Sequence, residues 1–370
     1  MKITVIIVLF ILSLTQIVMG QNSKKPQDPL KYLVSVFQEH DLVLLGEDHA
    51  IKENLEFVAS AIPALYDAGV FTIGMEFGAF EFQTQVDSLL VADKYDEQLV
   101  RDMMFFYNVG WAYKEYQEVY EAAWAFNQTL ENGKRPFRIL NISYQYNWGG
   151  VEGREPPNSE EDVFYLGTAD EYRSALLERE ILDKGEKALV LVGMVHAFTK
   201  YKMPILRPGN ENECELESDI LGNVLYQNYP DRVYSVLLHS PFYNFPGNNP
   251  FILQPANGKL EDALVKYAKP VGIDLNSSEL GKLKDDSFFG ACSKNFKLAD
   301  IFDGYIFLAP FEELTGTTFD PLFFIGKTWE ETLSQMPVMG GNRESMEAFQ
   351  TQIKAYANLK QRYSVLFDER

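Results

Sequence analysis

The stretch that most constrains this chain is Leu42–Phe77, LVLLGEDHAIKENLEFVASAIPALYDAGVFTIGMEF. An apolar run over Leu42–Leu45 stops at Gly46, and Glu47, Asp48 and His49 follow at once. Helical spacing of Leu55, Val58, Ala59, Ile62 and Leu65 comes next, closed by Gly69, and a second apolar run ends in Glu76. The order is strand, acidic-histidine loop, helix, strand, acid. Apolar strands of this kind, alternating with helices, indicate an α/β protein whose mostly parallel sheet is flanked by helices. In such sheets the ligand crevice lies at the carboxyl ends of the strands, so Glu47, His49 and Glu76 are expected at one edge. A distant stretch, Ala188–His196 (ALVLVGMVH), repeats the arrangement: a buried-type strand ends in Gly193 and delivers His196 three residues later.

Around this frame, Leu30–His40 reads as a helix, and Phe137–Ser143, Arg232–His239 and Gly304–Leu308 read as further strands. Glu81–Glu131 is helical and rich in aromatic residues. It is expected either to pack on the sheet or to cap the carboxyl edge as an aromatic-walled insertion. Tyr144–Thr168 has no periodicity and reads as a long loop. Ala169–Lys184 is expected to turn Leu176, Leu177, Ile181 and Leu182 inward, and to turn Arg173, Glu178, Arg179 and Glu180 mostly outward. Residues 30–327 are thus expected to form one α/β domain, and 328–370 a helical tail on which Met346, Phe349, Ile353, Tyr356 and Leu359 share a face.

Residues 1–20 carry the marks of a secretory signal: Lys2, an apolar run from Ile3 to Met19, and Val18-Met19-Gly20 before a cleavage expected at Gln21. Residues 21–29 would follow as a linker, and a secreted or periplasmic location is expected. The alternative is an uncleaved anchor; no later stretch is long and apolar enough to span a membrane. A net charge of −20 excludes a nucleic-acid backbone as partner, because phosphate binding depends on Lys and Arg. An oxidising compartment permits a disulfide between the two cysteines, Cys214 and Cys292, without demanding it.

The chain has four histidines. His40 belongs to a helix surface, whereas His49, His196 and His239 each fall at or just past a strand end. Neutral imidazoles beside carboxylates serve either as a general base with its orienting acid or as a divalent-metal shell. His49, Glu76 and His196 are the candidate metal ligands. The bland alternative is that Glu47 and Asp48 only cap the following helix. No G-x-S-x-G elbow, P-loop or G-x-G-x-x-G is present.

GEDH after the first strand, the acid of GMEF after the second, Arg179-Glu180 on a helix and the G-x-x-H of GMVH together resemble a known superfamily. It joins erythromycin-esterase-like proteins, haem-uptake ChaN-like proteins, the TraB/GumN group and the Tiki proteases. Gly46–Asn141 is most similar to the ChaN-like branch, through Gln85, Asp87 and Leu89 and then Trp111 and Tyr116. The resemblance covers roughly residues 42–198 and the GYIFL strand. It implies a site built from Glu47, His49, Glu76, Arg179 and His196. In the hydrolytic branches that site activates water against an ester or peptide bond, with or without a divalent metal; in the ChaN-like branch the fold is associated with haem. Position 50 is Ala where the ester-cleaving branch has Gly. Two functions follow as expectations: an exported hydrolase of a small-molecule or peptide substrate, or a haem- or iron-uptake protein without catalysis.

Overall fold

Six of the apolar segments become strands of one sheet, and a seventh joins them. The structure is a computed structural model that describes residues 25–146, 163–205, 214–244, 251–335 and 344–367. The expected signal and most of the expected 144–168 loop lie outside the described residues. The strands are β1 Leu42–Glu47, β2 Thr72–Ala79, β3 Arg138–Ser143, β4 Ala188–Gly193, β5 Val233–Leu238, β6 Val271–Asp274 and β7 Gly304–Phe307. They lie in the order β6-β7-β5-β1-β4-β2-β3. Every neighbouring pair is parallel except β6–β7 at one edge. β6 is absent from the sequence reading because VGID is four residues long and contains a glycine, too short to show a period.

The two-residue period of a strand sorts the apolar runs onto two faces. Val43, Leu45, Leu189 and Leu191 join one buried cluster, and Leu42, Leu44, Ala188, Val190 and Val192 join the other. The first face is covered by α1 Pro29–Val36, α2 Lys52–Asp67 and the aromatic insertion, which forms α3 Gln83–Leu89, α4 Glu97–Asn108 and α5 Lys114–Gln128. The second is covered by α6 Ala169–Leu177 and α7 Leu221–Asn228.

The insertion plays both parts expected of it. Tyr113, Tyr116 and Tyr120 are fully buried against the sheet. Trp111, in the α4–α5 turn, stacks near Phe77 of β2 with ring centroids 3.9 Å apart, at the carboxyl edge.

The C-terminal residues pack back on the same edge. Phe349 and Ile353 join the first core cluster, while Leu359, Tyr363 and Leu366 cluster with Ile51, Phe311 and Leu314. Gly316 makes this seat, since a Cβ there would lie 1.6 Å from the carbonyl oxygen of Ala357. Cys214 and Cys292 form a disulfide with Cα atoms 5.5 Å apart. Among the described residues no helix is long and apolar enough to cross a membrane.

Candidate functional site

β1 runs fully buried to its last residue, so the carboxylate of Glu47 emerges beneath the surface, 2% exposed. The chain must then turn sharply into α2. It does so through Ala50, whose φ of 64° lies in the left-handed region. That conformation costs a residue with a Cβ about 1–2 kcal/mol. α2 begins after Ile51 with no side-chain cap, so Glu47 and Asp48 are not capping residues. Glu47 instead binds His49: Oε1 lies 3.0 Å from Nδ1 of the imidazole and accepts a second bond, 2.7 Å, from the hydroxyl of Tyr116. A carboxylate accepts, so Nδ1 carries the proton and Nε2 is left as a base. The His49 ring is held edge-on to Phe77 and Trp111, with centroids 5.0 and 5.4 Å away.

Nε2 of His49 hangs over Gly193, which pairs with Glu47 across β1 and β4. A Cβ at 193 would come 2.8 Å from Nε2 and 3.5 Å from Cδ2 of His196. The two imidazoles therefore meet above this bare α-carbon. His196 repeats the first arrangement, its Nδ1 2.8 Å from Oδ2 of Asp170. Between the rings lies Glu76, 6% exposed. Its Oε2 accepts the Gly193 N–H at 2.7 Å, and its Oε1 lies 3.3 Å from Nη2 of Arg173 and 3.5 Å from Nε2 of His196. Arg173 also donates to Asp170 at 2.9 Å.

These contacts set the protonation states. Burial raises Glu47 above the usual carboxylate range, with the His49 and Tyr116 bonds pulling partway back. Burial acts to lower His49, but the bond to Glu47 and the charges of Glu47, Glu76 and Asp48 overrule it, and His49 holds its proton above the ordinary histidine value. Burial opposes the charge on Glu76 too, yet Arg173, His196 and His49 hold its carboxyl below the usual range. Asp170 is likewise depressed, burial being outweighed by His196 and Arg173. One half of the site thus retains a proton and the other retains anions. Glu47 Oε2 and Arg173 Nε are buried without a hydrogen-bond partner among the described residues, and a bound polar group would gain most there.

The structure brings Glu47, His49, Glu76 and His196 together and leaves Arg179 outside. The Arg179 side chain is 61% exposed, paired with Glu180 at 3.1 Å and lying over Phe80. The arginine at the site is Arg173, expected to face outward. It sits one turn from Leu177 and three residues from Asp170, on the buried face of α6, and the π-helical turn Glu178–Leu182 then carries Arg179 away from that face. His239 is also elsewhere: fully buried, it is bound to Tyr305 and Glu261, and burial lowers its pKa.

The three candidate metal ligands, His49, Glu76 and His196, lie together in this cluster; the oxygens of Glu76 are engaged by the Gly193 N–H and the Arg173 guanidinium, and His196 is held by Asp170. Among the described residues no group of three or more His, Cys, Asp or Glu is placed to hold an ion. Sequence reasoning also missed Asp170 and the role of Tyr116. The capping signature Thr168-x-x-Glu171 marked the start of α6, and counting from it would have placed Asp170 and Arg173 one turn apart.

No protein-family model matches the sequence, and no curated protein matches it at a significant level. Among solved structures, the chain is similar to a succinoglycan biosynthesis protein, at 11% identity and a TM-score of 0.51 over 81% of this chain and 97% of that one. That likeness shows a shared fold. Similar too are the haem-binding ChaN of Campylobacter jejuni (13% identity, 57% and 86% of the two chains, TM-score 0.36) and the type III effector HopBA1 (13%, 62% and 94%, 0.35).

Two consequences are measurable. Glu76 and Asp170 have depressed folded pKa values, so their contribution is present above the unfolded carboxyl range, about pH 4, and is lost as pH falls through the folded values. Glu76→Gln should cost about 3 kcal/mol at pH 7 by leaving Arg173 short of a buried counter-charge, and its urea midpoint should fall less on acidification than that of the wild type. Gly193→Ala keeps an ordinary backbone, with φ −53°. It should therefore leave circular dichroism unchanged while displacing the His49 ring, seen as a shift of its imidazole resonances.

Proposed function

We propose that the chain is an exported hydrolase in which His49 is the general base. The observation that carries this reading is that the groups solvent reaches most in this cluster are two imidazoles: the His49 and His196 side chains are 21% and 31% exposed, while Glu47, Glu76 and Asp170 are 1%, 6% and 13% exposed. Each imidazole is fixed through Nδ1 by an acid; His49 turns Nε2 over Gly193, and His196 meets it there with Cδ2, its own Nε2 lying 3.5 Å from Glu76.

A water bound at Nε2 of His49 gives up a proton as its oxygen attacks a carbonyl carbon. Glu47, steadied by Tyr116, stabilises the imidazolium that forms. The bond from the carbonyl carbon to the leaving oxygen or nitrogen then breaks, and the His49 imidazolium passes the proton it took from water to that atom, with His196, oriented by Asp170, beside it. Arg173 holds Glu76 ionised and takes the place that the family resemblance gave to Arg179. The substrate is an ester or peptide bond of a small molecule or peptide, consistent with the hydrolytic branches that the sequence resembles. The signal-like residues 1–20 and the Cys214–Cys292 disulfide support export.

A panel of aryl esters and peptides tests the reading. His49→Ala should remove turnover, and kcat/KM should rise with pH through an apparent pKa above about 6.5, the ordinary histidine value, because Glu47 makes the proton harder to remove. Glu47→Gln should move that midpoint down and slow turnover by about 10²–10⁴-fold. Hydrolysis that survives His49→Ala at full rate would refute it.

A further inference from the structure

The residue between the acid and the base, Asp48, has no place in the chemistry above, yet it is 6% exposed and is bound from two distant parts of the chain, 240–243 and 362–363. Its backbone N–H bonds Ser240 Oγ at 3.0 Å, its Oδ1 accepts from the Tyr243 hydroxyl at 3.2 Å, and its Oδ2 is bound by the Arg362 guanidinium and the Tyr363 hydroxyl. Arg362 does more. Nη1 donates to the carbonyl oxygen of His49 itself at 3.0 Å, and to that of Tyr356 at 3.1 Å. The guanidinium is flanked by two rings, 4.4 Å from the centroid of Tyr356 and 5.3 Å from that of Tyr363. A planar fork held between aromatic faces loses little freedom on binding, and a lysine cannot reproduce its two-sided donation.

The loop needs such a clamp. Ala50 is held in a left-handed conformation that it resists; its N–H donates to the Tyr116 hydroxyl at 3.2 Å, and the 315–317 segment pins the far side of the turn, Thr317 N–H binding the Ala50 carbonyl at 3.0 Å and Lys52 N–H that of Thr315 at 2.9 Å. Arg362 supplies the other side. The tail that carries it is anchored independently, through the Tyr113 hydroxyl on the Ile353 carbonyl at 2.9 Å and through buried Leu359 and Leu366. Loss of the guanidinium therefore leaves the fold standing.

We infer that Arg362 of the C-terminal helix is a positioning residue, which through Asp48 and the His49 carbonyl holds the Glu47–His49 pair in its working geometry. The residues that the sequence presents as an appended tail thereby complete the site. This inference rests on the hydrolase reading for its meaning, but its test needs no substrate.

The probe is the carboxylate-bound Nδ1 proton of His49, a downfield signal in proton NMR assigned by its loss in His49→Gln. Arg362→Ala should abolish that signal with the circular dichroism unchanged, Arg362→Lys should restore little of it, and millimolar methylguanidinium added to Arg362→Ala should bring it back. Lys360→Ala, an exposed neighbour on the same helix, should leave it intact. A signal that persists in Arg362→Ala, or one that methylguanidinium fails to restore, would overturn the proposal. With a confirmed ester substrate, Arg362→Ala should lower kcat about tenfold or more and change KM little. If the NMR results hold while no hydrolysis is found, the positioning role stands and the hydrolase reading falls.

Discussion

The structure depends on a bond between a carboxylate that water cannot reach and an imidazole that it can. Glu47 ends the central strand, so the sheet that builds the core also fixes the acid, and the acid fixes the base two residues later. A flexible loop could not keep this pair aligned, and an exposed pair would be worth little. Burial on a strand end makes the bond strong and costly at once, because a carboxylate out of water must find partners.

Much of the surrounding architecture answers that cost. Tyr116 reaches Glu47 from the aromatic insertion, Arg173 reaches Glu76 and Asp170 from α6, and Arg362 reaches Asp48 from the C-terminal helix. Three buried acids and the half-buried Asp170 are thereby matched from three separate elements, on a chain of net charge −20. The same need explains the bare α-carbon at Gly193, where two imidazoles crowd one point of the sheet edge.

What the sequence revealed is what local pattern encodes. The strand-ending acids and histidines were legible because the apolar runs stop abruptly beside them, and a parallel sheet sends such ends to one edge. The helical layers followed from three-to-four spacing. What stayed hidden depends on rotation or on distance along the chain. Arg173 and Arg179 lie six residues apart, and which of them faced the sheet turned on a π-helical turn that has no sequence signature. Arg362 is over three hundred residues from its partner, and its helix looked like a simple amphipathic tail. β6, at four residues, left no period to read.

The most direct measurement is the pH titration of the four histidine side chains by NMR, on the wild type and on Glu47→Gln. A base held by a buried carboxylate requires His49 to titrate above about 6.5 and to drop when Glu47 loses its charge, while burial holds His239 below the ordinary histidine value. A His49 that titrates at or below the ordinary histidine value, and is indifferent to Glu47→Gln, would contradict the account at its centre.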